Sequence, residues 1–103
     1  MHATIRRYEG VDANRTDELS RKASETLVPR LQKLEGFSGY YLVEAGNGVF
    51  SSVGLFKSPA QTDEATKIAA AWVKDEKLES ALPNPPRITS GKVIAQGNGV
   101  SDA

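Results

Sequence analysis

The segment Gly46-Asn47-Gly48 is the feature that most constrains how this chain can fold. Asn-Gly tolerates the positive φ angles of a type I′ turn, and two β-prone segments, residues 37–45 and 49–56, flank it. A two-residue Asn47-Gly48 loop pairs Gly46 with Val49 and thereby sets the register of a β-hairpin. In that register, one face carries Tyr40, Leu42, Glu44, Ser51, Val53 and Leu55, and the other carries Phe37, Gly39, Tyr41, Val43, Ala45, Phe50, Ser52, Gly54 and Phe56.

A β-prone run and an amphipathic helix precede the hairpin. Residues 2–8 predict the first strand. Apolar residues then recur at three- and four-residue spacing, which predicts a helix of about five turns that Asp12 or Asn14 caps and Gly36 ends. The apolar residues of this helix are Leu19, Ala23, Leu27, Leu31 and Leu34. Pro29 lies inside the helix, so we expect a kink just before it.

A second helix and a last strand follow the hairpin. Ser58 at the N-cap, Pro59 at the first helical position and Gln61 at the third form a capping box. The apolar stripe of this helix consists of Ala65, Ile68, Ala69, Trp72 and Val73. The segment Pro83-Asn84-Pro85-Pro86 cannot be helical, so we expect it to end the helix. Residues 87–95 predict the last strand.

The order of elements, β-α-β-β-α-β, predicts an α+β fold. It is typical of a ferredoxin-like, four-stranded antiparallel sheet with two helices on one face. The 103 residues suit a single domain, residues 1–95, followed by a flexible C-terminal tail, residues 96–103. Both faces of the predicted hairpin carry large apolar side chains, whereas the open face of such a sheet is usually polar. We therefore expect a second copy of the sheet to cover that face and form a homodimer.

Composition excludes several classes of partner and cofactor. Thirteen Lys and Arg balance thirteen Asp and Glu, so no excess charge draws the chain to nucleic acid. The chain has no Cys, a single His at position 2 and no Gly-rich nucleotide loop, so we predict no metal, haem, flavin or nicotinamide. The longest apolar run, residues 68–73, is far shorter than the roughly 20 residues that span a membrane. No signal peptide pattern is present, and the expected location is the cytoplasm.

Three short segments carry a resemblance to a known family. They are Leu34-Glu35-Gly36-Phe37-Ser38-Gly39 at the first helix-to-strand junction, Phe56-Lys57-Ser58 before the second helix, and Lys92-Val93-Ile94 in the last strand. With these segments in this order, residues 2–95 resemble the antibiotic-biosynthesis-monooxygenase family of the dimeric α+β barrel superfamily. The resemblance implies a dimer whose sheets pack into a barrel, with a pocket in each subunit between its sheet and its helices.

The activities known in that family include cofactor-independent oxygenation of quinol-like aromatics and haem degradation. The haem-degrading branch uses an Asn late in strand one, with a Trp and an iron-ligating His on the second helix. Here strand one carries Arg6 and Arg7, and ungapped alignment places Ala65 and Asp75 at the Trp and His positions. Haem degradation is therefore not expected. The resemblance implies a cofactor-independent, monooxygenase-like protein acting on a small aromatic or polyketide-like molecule. The alternative is a non-catalytic small-molecule-binding or structural homodimer.

The candidate pocket consists of Arg6, Tyr41, Phe56 and Trp72. Trp72 lies on the apolar stripe of the second helix, where it suits either the core or a pocket wall beside the small side chains of residues 69–71. A flat aromatic ligand between the helices and the sheet is the expected occupant.

Two pairs of identical neighbours leave the orientation of the pocket open. In the pairs Arg6-Arg7 and Tyr40-Tyr41, one residue faces the helices and the other faces away, because side chains alternate along a strand. An arginine that faces the helices needs a carboxylate partner, for which Glu44 is a candidate, or binds an enolate or carboxylate substrate. Opposite Tyr41, Gly54 leaves space either for a ligand or for the tyrosine ring.

Overall fold

The computed structural model describes residues 1–97 and has the predicted order of elements. Its helices and strands are β1 (His2–Tyr8), α1 (Thr16–Lys22), α2 (Val28–Gln32), β2 (Phe37–Gly46), β3 (Val49–Phe56), α3 (Pro59–Asp75) and β4 (Arg87–Lys92). The strands form one antiparallel sheet in the order β2-β3-β1-β4. This confirms the ferredoxin-like α+β fold, because the strand that follows each helix crosses over its neighbour.

The hairpin turn forms as predicted, but the register of its strands does not. Gly46 pairs with Val49, and Asn47 has the positive φ of 54° that a type I′ turn requires. An irregularity between Glu44 and Gly46 then shifts the pairs from Glu44 to Gly39 by one residue, and a second between Gly39 and Phe37 pairs Phe37 with Phe56. A β-bulge of this kind moves the following side chains to the other face, so the predicted sets of face residues are wrong.

The first helix contains the irregularity that Pro29 predicts. Between α1 and α2 lies a π-helical turn, Ala23–Leu27, in which the Val28 N–H donates to the Ala23 carbonyl five residues back. Pro29 has no N–H for the regular ladder and its ring would clash with the carbonyl four residues earlier, and the wider turn avoids both problems. Asp12 caps the short 3₁₀ turn, Ala13–Arg15, that leads into α1, since its carboxylate accepts from the Asn14 N–H at 3.0 Å. The helix ends at Gln32, before the predicted Gly36.

The second helix begins at its capping box and ends earlier than predicted. Gln61 Oε1 accepts from the Ser58 N–H at 3.1 Å. The helix ends at Asp75 rather than at the proline segment. Lys77 has a φ of 56°, and the Leu78 N–H donates to the Val73 carbonyl at 2.9 Å. This is a Schellman ending with Lys in the position that usually holds Gly, and for that reason it could not be predicted from a glycine signal.

The last strand is also shorter than predicted. It ends at Lys92 rather than at residue 95, although the Val93 N–H still donates to the Met1 carbonyl at 2.9 Å. Most of the predicted flexible tail, residues 98–103, lies outside the described residues. Within residues 1–97, no helix is both long enough and apolar enough to cross a membrane.

The helices cover one face of the sheet and leave the other open. Alternate residues of β3 are buried against the helices, from Phe50 to Phe56, which is 0% exposed. We call this the helix-covered face; its buried residues on the sheet are Thr4, Arg6, Phe50, Ser52, Gly54 and Phe56. The open face carries Ile5, Arg7, Tyr41, Val43, Val53 and Leu55. The core therefore lies between one face of the sheet and the helices.

Candidate ligand-binding site

Arg6 is the charged residue at the centre of the helix-covered face. It is two residues from Thr4 and from Tyr8 along β1, so all three side chains point to the same side. Its side chain is 2% exposed. Among residues 1–97 no carboxylate forms an ion pair with it, and its Nε and Nη2 atoms are buried with no hydrogen-bond partner. A buried guanidinium without a counter-charge costs several kcal/mol of desolvation.

Two tyrosines flank this guanidinium on the same face. Burial lowers the pKa of Arg6, while Tyr8 and Tyr40 act in the opposite direction. Burial likewise raises the pKa of Tyr8, and it raises that of Tyr40 to about 12. Both phenols are therefore neutral near pH 7 and can donate hydrogen bonds. Arg6 is the one group of the three that carries charge.

A small cavity lies between these residues and the helices. We call it the inner cavity; it measures ≈ 20 Å³, about the room that one water-sized group needs. Its walls are Arg6, Tyr8, Leu19, Leu27, Tyr40, Leu42, Phe50, Ala69, Trp72 and Leu82. The lining is apolar except at the arginine and the two phenols. A polar head of a few atoms is what this cavity could hold.

Trp72 closes the inner cavity on the helix side. It is 5% exposed, and its indole N–H donates to the Thr26 hydroxyl at 2.7 Å. Thr26 lies in the π-helical turn and in turn donates to the Lys22 carbonyl at 2.6 Å. The two helices are thereby joined by a buried polar contact behind the ring. Trp72 is therefore both a core residue and a wall of the inner cavity, the two positions that the sequence allowed for it.

A much larger cleft opens next to the inner cavity. We call it the α3 cleft; it measures ≈ 460 Å³, within the usual range for small-molecule sites. It lies between α3 and the segment that follows it, and it is lined by Arg6, Tyr8, Thr66, Ala69, Ala70, Val73, Lys74, Glu79, Leu82, Pro83, Asn84, Pro85, Pro86 and Ile88. Arg6, Tyr8, Ala69 and Leu82 border both spaces. The guanidinium therefore lies where the cleft meets the inner cavity.

The far wall of the α3 cleft is the segment that sequence reasoning treated only as the end of a helix. Leu78 and Ala81 anchor it in the core at 0% exposure, and the Ala81 carbonyl accepts from the Asp12 N–H at 3.1 Å. Asn84 Nδ2 donates to the Glu9 carbonyl at 3.0 Å. Pro83, Pro85 and Pro86 exclude a helix here, and the segment runs through bends at Leu82 and Asn84 into β4. The proline cluster was the available signal, but nothing local shows that it faces α3.

The structure brings together only part of the predicted pocket. Arg6 and Trp72 both line the inner cavity. Phe56 lies on the same face but packs edge-on against Phe37, with ring centroids 5.8 Å apart, and lines neither space. Tyr41 is 62% exposed on the open face, so the pocket position predicted for it is corrected to Tyr40. The cause is the β-bulge near the turn, which reverses the two tyrosines.

Two further predictions about neighbours of the site are corrected. Glu44 does not pair with Arg6 but accepts from the Thr16 hydroxyl at 3.1 Å. Because β3 lies between their strands, the two residues are about 10 Å apart across the sheet. Gly54 lies opposite Tyr40, not Tyr41, and a Cβ there would meet the Phe56 ring at 2.9 Å. The glycine therefore makes room for a core ring.

Within the part of the chain that the structure describes, no three His, Asp or Glu side chains cluster as metal ligands would. The prediction that the protein uses no cofactor stays a prediction.

Comparison with known proteins identifies the fold. No protein-family model matches the sequence, and no curated protein matches it. Solved structures do match over nearly the whole chain. A protein of unknown function from Nitrosomonas europaea has a TM-score of 0.73 at 19% identity, over 97% of this chain and 95% of its own. A monooxygenase of Streptomyces coelicolor, solved with the ligand nanaomycin D, has a TM-score of 0.68 at 14% identity, over 98% and 92%.

A third match bears on assembly. A protein from an uncultured marine organism, described as a dimeric ferredoxin-like protein, has a TM-score of 0.69 at 15% identity, over 96% of this chain and 92% of its own. Another matched structure carries the name antibiotic biosynthesis monooxygenase. The chain has the fold of these proteins. The resemblance read from its sequence is thus confirmed at the level of the antibiotic-biosynthesis-monooxygenase fold.

Proposed function

We propose that this chain is a monooxygenase-like protein that binds a small aromatic or polyketide-like molecule in the α3 cleft and oxidises it without a cofactor. The observation that carries the proposal is the position of Arg6, a buried cation without an ion-pair partner in residues 1–97, at the inner end of a ≈ 460 Å³ apolar cleft. The fold shared with proteins named as monooxygenases supports it.

The chemistry that this site can supply is stabilisation of an oxyanion away from water. A phenolate or enolate reacts directly with dioxygen: one oxygen atom replaces two hydrogens of the substrate to form a carbonyl group, the other leaves as water, and the substrate supplies all four electrons. A fixed positive charge in a dry site lowers the pKa of the bound phenol or enol and so increases its anionic fraction. Arg6 supplies that charge, and the neutral Tyr8 and Tyr40 can donate further hydrogen bonds.

The rival function is binding without catalysis. It is favoured by the packing of Trp72 against Thr26 and by the small inner cavity, which together leave the reacting part of a ligand little space. In that case the cleft stores or carries a small molecule, and the fold serves mainly as a dimeric scaffold. Binding and turnover must therefore be measured separately.

The proposal includes a homodimer through the open face of the sheet. Ile5, Tyr41 and Val43 are 40%, 62% and 49% exposed there, an arrangement that a second copy would cover. The dimeric description of the similar marine protein supports this assembly. A stable interface of this kind usually buries more than about 1,200 Å² in total. The cytoplasmic location predicted from the sequence belongs to the same proposal.

Two neighbouring alanines of α3 give a matched test of the cleft. Ala70 and Ala71 are both exposed, but only Ala70 lines the α3 cleft. Trp72 is the only tryptophan of the chain and lines the inner cavity, so its fluorescence reports binding of flat phenols such as naphthols and anthrones. We expect Ala70→Phe to weaken binding at least tenfold and Ala71→Phe to leave it unchanged.

Oxygen consumption with the same compounds separates the two functions. Uptake above the spontaneous rate in wild type, lost in Ala70→Phe, is the expected result for a monooxygenase. Binding without oxygen uptake would favour the carrier function instead. If none of the compounds binds, or if both alanine variants bind like wild type, the proposed function of the α3 cleft is wrong.

A further inference from the structure

Arg6 has two nitrogen donors without partners, and both lie on one edge of its guanidinium. These are Nε and Nη2, neither of which has a hydrogen-bond partner within residues 1–97. In a planar guanidinium the Nε–H and one Nη2–H point the same way, and this edge matches the two oxygens of a carboxylate in a bidentate pair. A single phenolate oxygen could satisfy only one of the two donors well.

Arg6 borders two spaces that differ in size. They are the inner cavity of ≈ 20 Å³ and the α3 cleft of ≈ 460 Å³, and Tyr8 borders both as well. A ligand that fits both has a head of very few atoms and a much larger apolar body. The carboxylate is the smallest organic anion with two oxygens, and it suits the smaller space.

The buried charge of Arg6 also favours a carboxylate ligand. The guanidinium is 2% exposed and, in the described part of the chain, none of the ion pairs includes it. The charged groups on the rim of the α3 cleft, Lys74 and Glu79, are both exposed. A neutral ligand would leave the buried charge uncompensated, whereas an anion would remove that desolvation penalty in the complex.

Resting on the proposed binding of an aromatic molecule in the α3 cleft, we propose that the natural ligand is an aryl carboxylate, whose two oxygens, rather than a phenolate oxygen, bind the Nε and Nη2 edge of Arg6 while its ring system fills the α3 cleft. The side chains of Ala69 and Ala70 on α3 contact one face of the ring system, and Leu82 with the proline wall lies opposite. Specificity then has two parts: Arg6 selects the carboxylate group of the ligand, and the α3 cleft selects its ring system.

A matched pair of ligands tests this assignment. 2-Naphthoate and 2-naphthamide have nearly the same shape and differ in charge. We expect wild type to bind the carboxylate at least tenfold more tightly than the amide, measured by Trp72 fluorescence or calorimetry. In Arg6→Met that preference disappears. Arg6→Lys keeps the charge but not the two parallel N–H donors, and it retains only part of the preference for the carboxylate.

Arg7→Met is the control, because Arg7 is the neighbouring residue of the same type on the open face and is exposed. It keeps the wild-type preference, and circular dichroism verifies that each variant is folded. Equal affinity of wild type for the two compounds, or an unchanged preference in Arg6→Met, would overturn the aryl carboxylate while leaving the aromatic cleft intact. If neither compound nor any neutral phenol binds, both this inference and the proposed function fall.

Discussion

On the helix-covered face of the sheet, polar residues are buried, whereas on the open face apolar residues are exposed. Thr4, Arg6 and Ser52 are at most 2% exposed, while Ile5, Tyr41 and Val43 are at least 40% exposed. A stable isolated domain normally shows the reverse. Each face therefore lacks something that the described chain does not supply: the covered face lacks an anion for Arg6, and the open face lacks an apolar cover.

The two faces differ in how the missing contacts are distributed. On the covered face, Thr4 is satisfied because the Ser90 hydroxyl donates to it at 3.0 Å. Within residues 1–97, the buried atoms without a hydrogen-bond partner on this face include Nε and Nη2 of Arg6 and the hydroxyl of Ser52, its neighbour on β3, so the missing charge is localised at Arg6. On the open face the missing apolar cover is spread over several side chains, none of which is individually decisive. A local deficit suits a small ligand, and a distributed deficit suits a large flat partner such as a second sheet.

Truncating one side chain on each face of the sheet should give very different losses of stability. Phe56→Ala removes a ring with 0% exposure and should lower the free energy of unfolding by about 3–5 kcal/mol. Leu55→Ala, the next residue but on the open face, should cost about 1 kcal/mol or less in the monomer. Urea unfolding of dilute protein measures both. Similar losses at the two positions would mean that the faces are not distinct.

A charge on the open face should abolish the dimer. Val43→Glu places a carboxylate within the proposed interface, where its desolvation opposes association. Light scattering should give twice the chain mass of 11.1 kDa for wild type and the single mass for the variant. Ala71→Glu adds the same charge on an exposed position of α3 and should remain dimeric. A wild type that is monomeric at micromolar concentration contradicts the proposed assembly.

The smallest expected effect is a pH dependence from the covered face. Burial raises the pKa of Tyr40 from its ordinary value of 10 to about 12, so the folded state prefers the neutral phenol. This preference contributes stability in full below pH 10, and the contribution is lost as pH rises towards 12. Tyr40→Phe should therefore lose less stability than wild type between pH 9 and pH 11 in urea titrations. Identical pH profiles would show that Tyr40 is not desolvated, since Arg6 and Tyr8 remain in both proteins.

Local signals were enough to predict the hairpin turn, the capping box and the order of elements. Asn47-Gly48 and Ser58-Pro59-Ala60-Gln61 each act within a few residues, so their neighbours in sequence determine their structure. The irregular turn before Pro29 follows in the same way from a missing donor. The element pattern then has few alternative topologies.

The orientation of the site could not be predicted from the sequence. Tyr40-Tyr41 and Arg6-Arg7 are pairs of identical residues. A shift of one residue therefore replaces a tyrosine by a tyrosine, or an arginine by an arginine, on each face, and the pattern of apolar and polar residues in the sequence does not reveal it. The bulge between Glu44 and Gly46 decides which tyrosine is buried, and it depends on packing against helices that are distant in sequence.

The wall of the α3 cleft was missed for a similar reason. Its position depends on the early helix end at Asp75, after which Lys77 has a positive φ, and on anchors such as the Asp12 to Ala81 hydrogen bond. These contacts join residues far apart in the chain, and no short motif marks them.

If Arg6 is retained for a ligand and not for the fold, the free energy of unfolding of Arg6→Met will show it. If the buried charge is uncompensated, its replacement by an apolar side chain of similar length should leave the free energy of unfolding unchanged or raise it by about 1–4 kcal/mol. Arg21→Met, at an exposed position of α1 outside the proposed interface, should change it by about 0.5 kcal/mol or less. Urea unfolding without ligand gives both values. A loss of more than about 1 kcal/mol in Arg6→Met would show that the guanidinium stabilises the fold itself, and it would contradict the account.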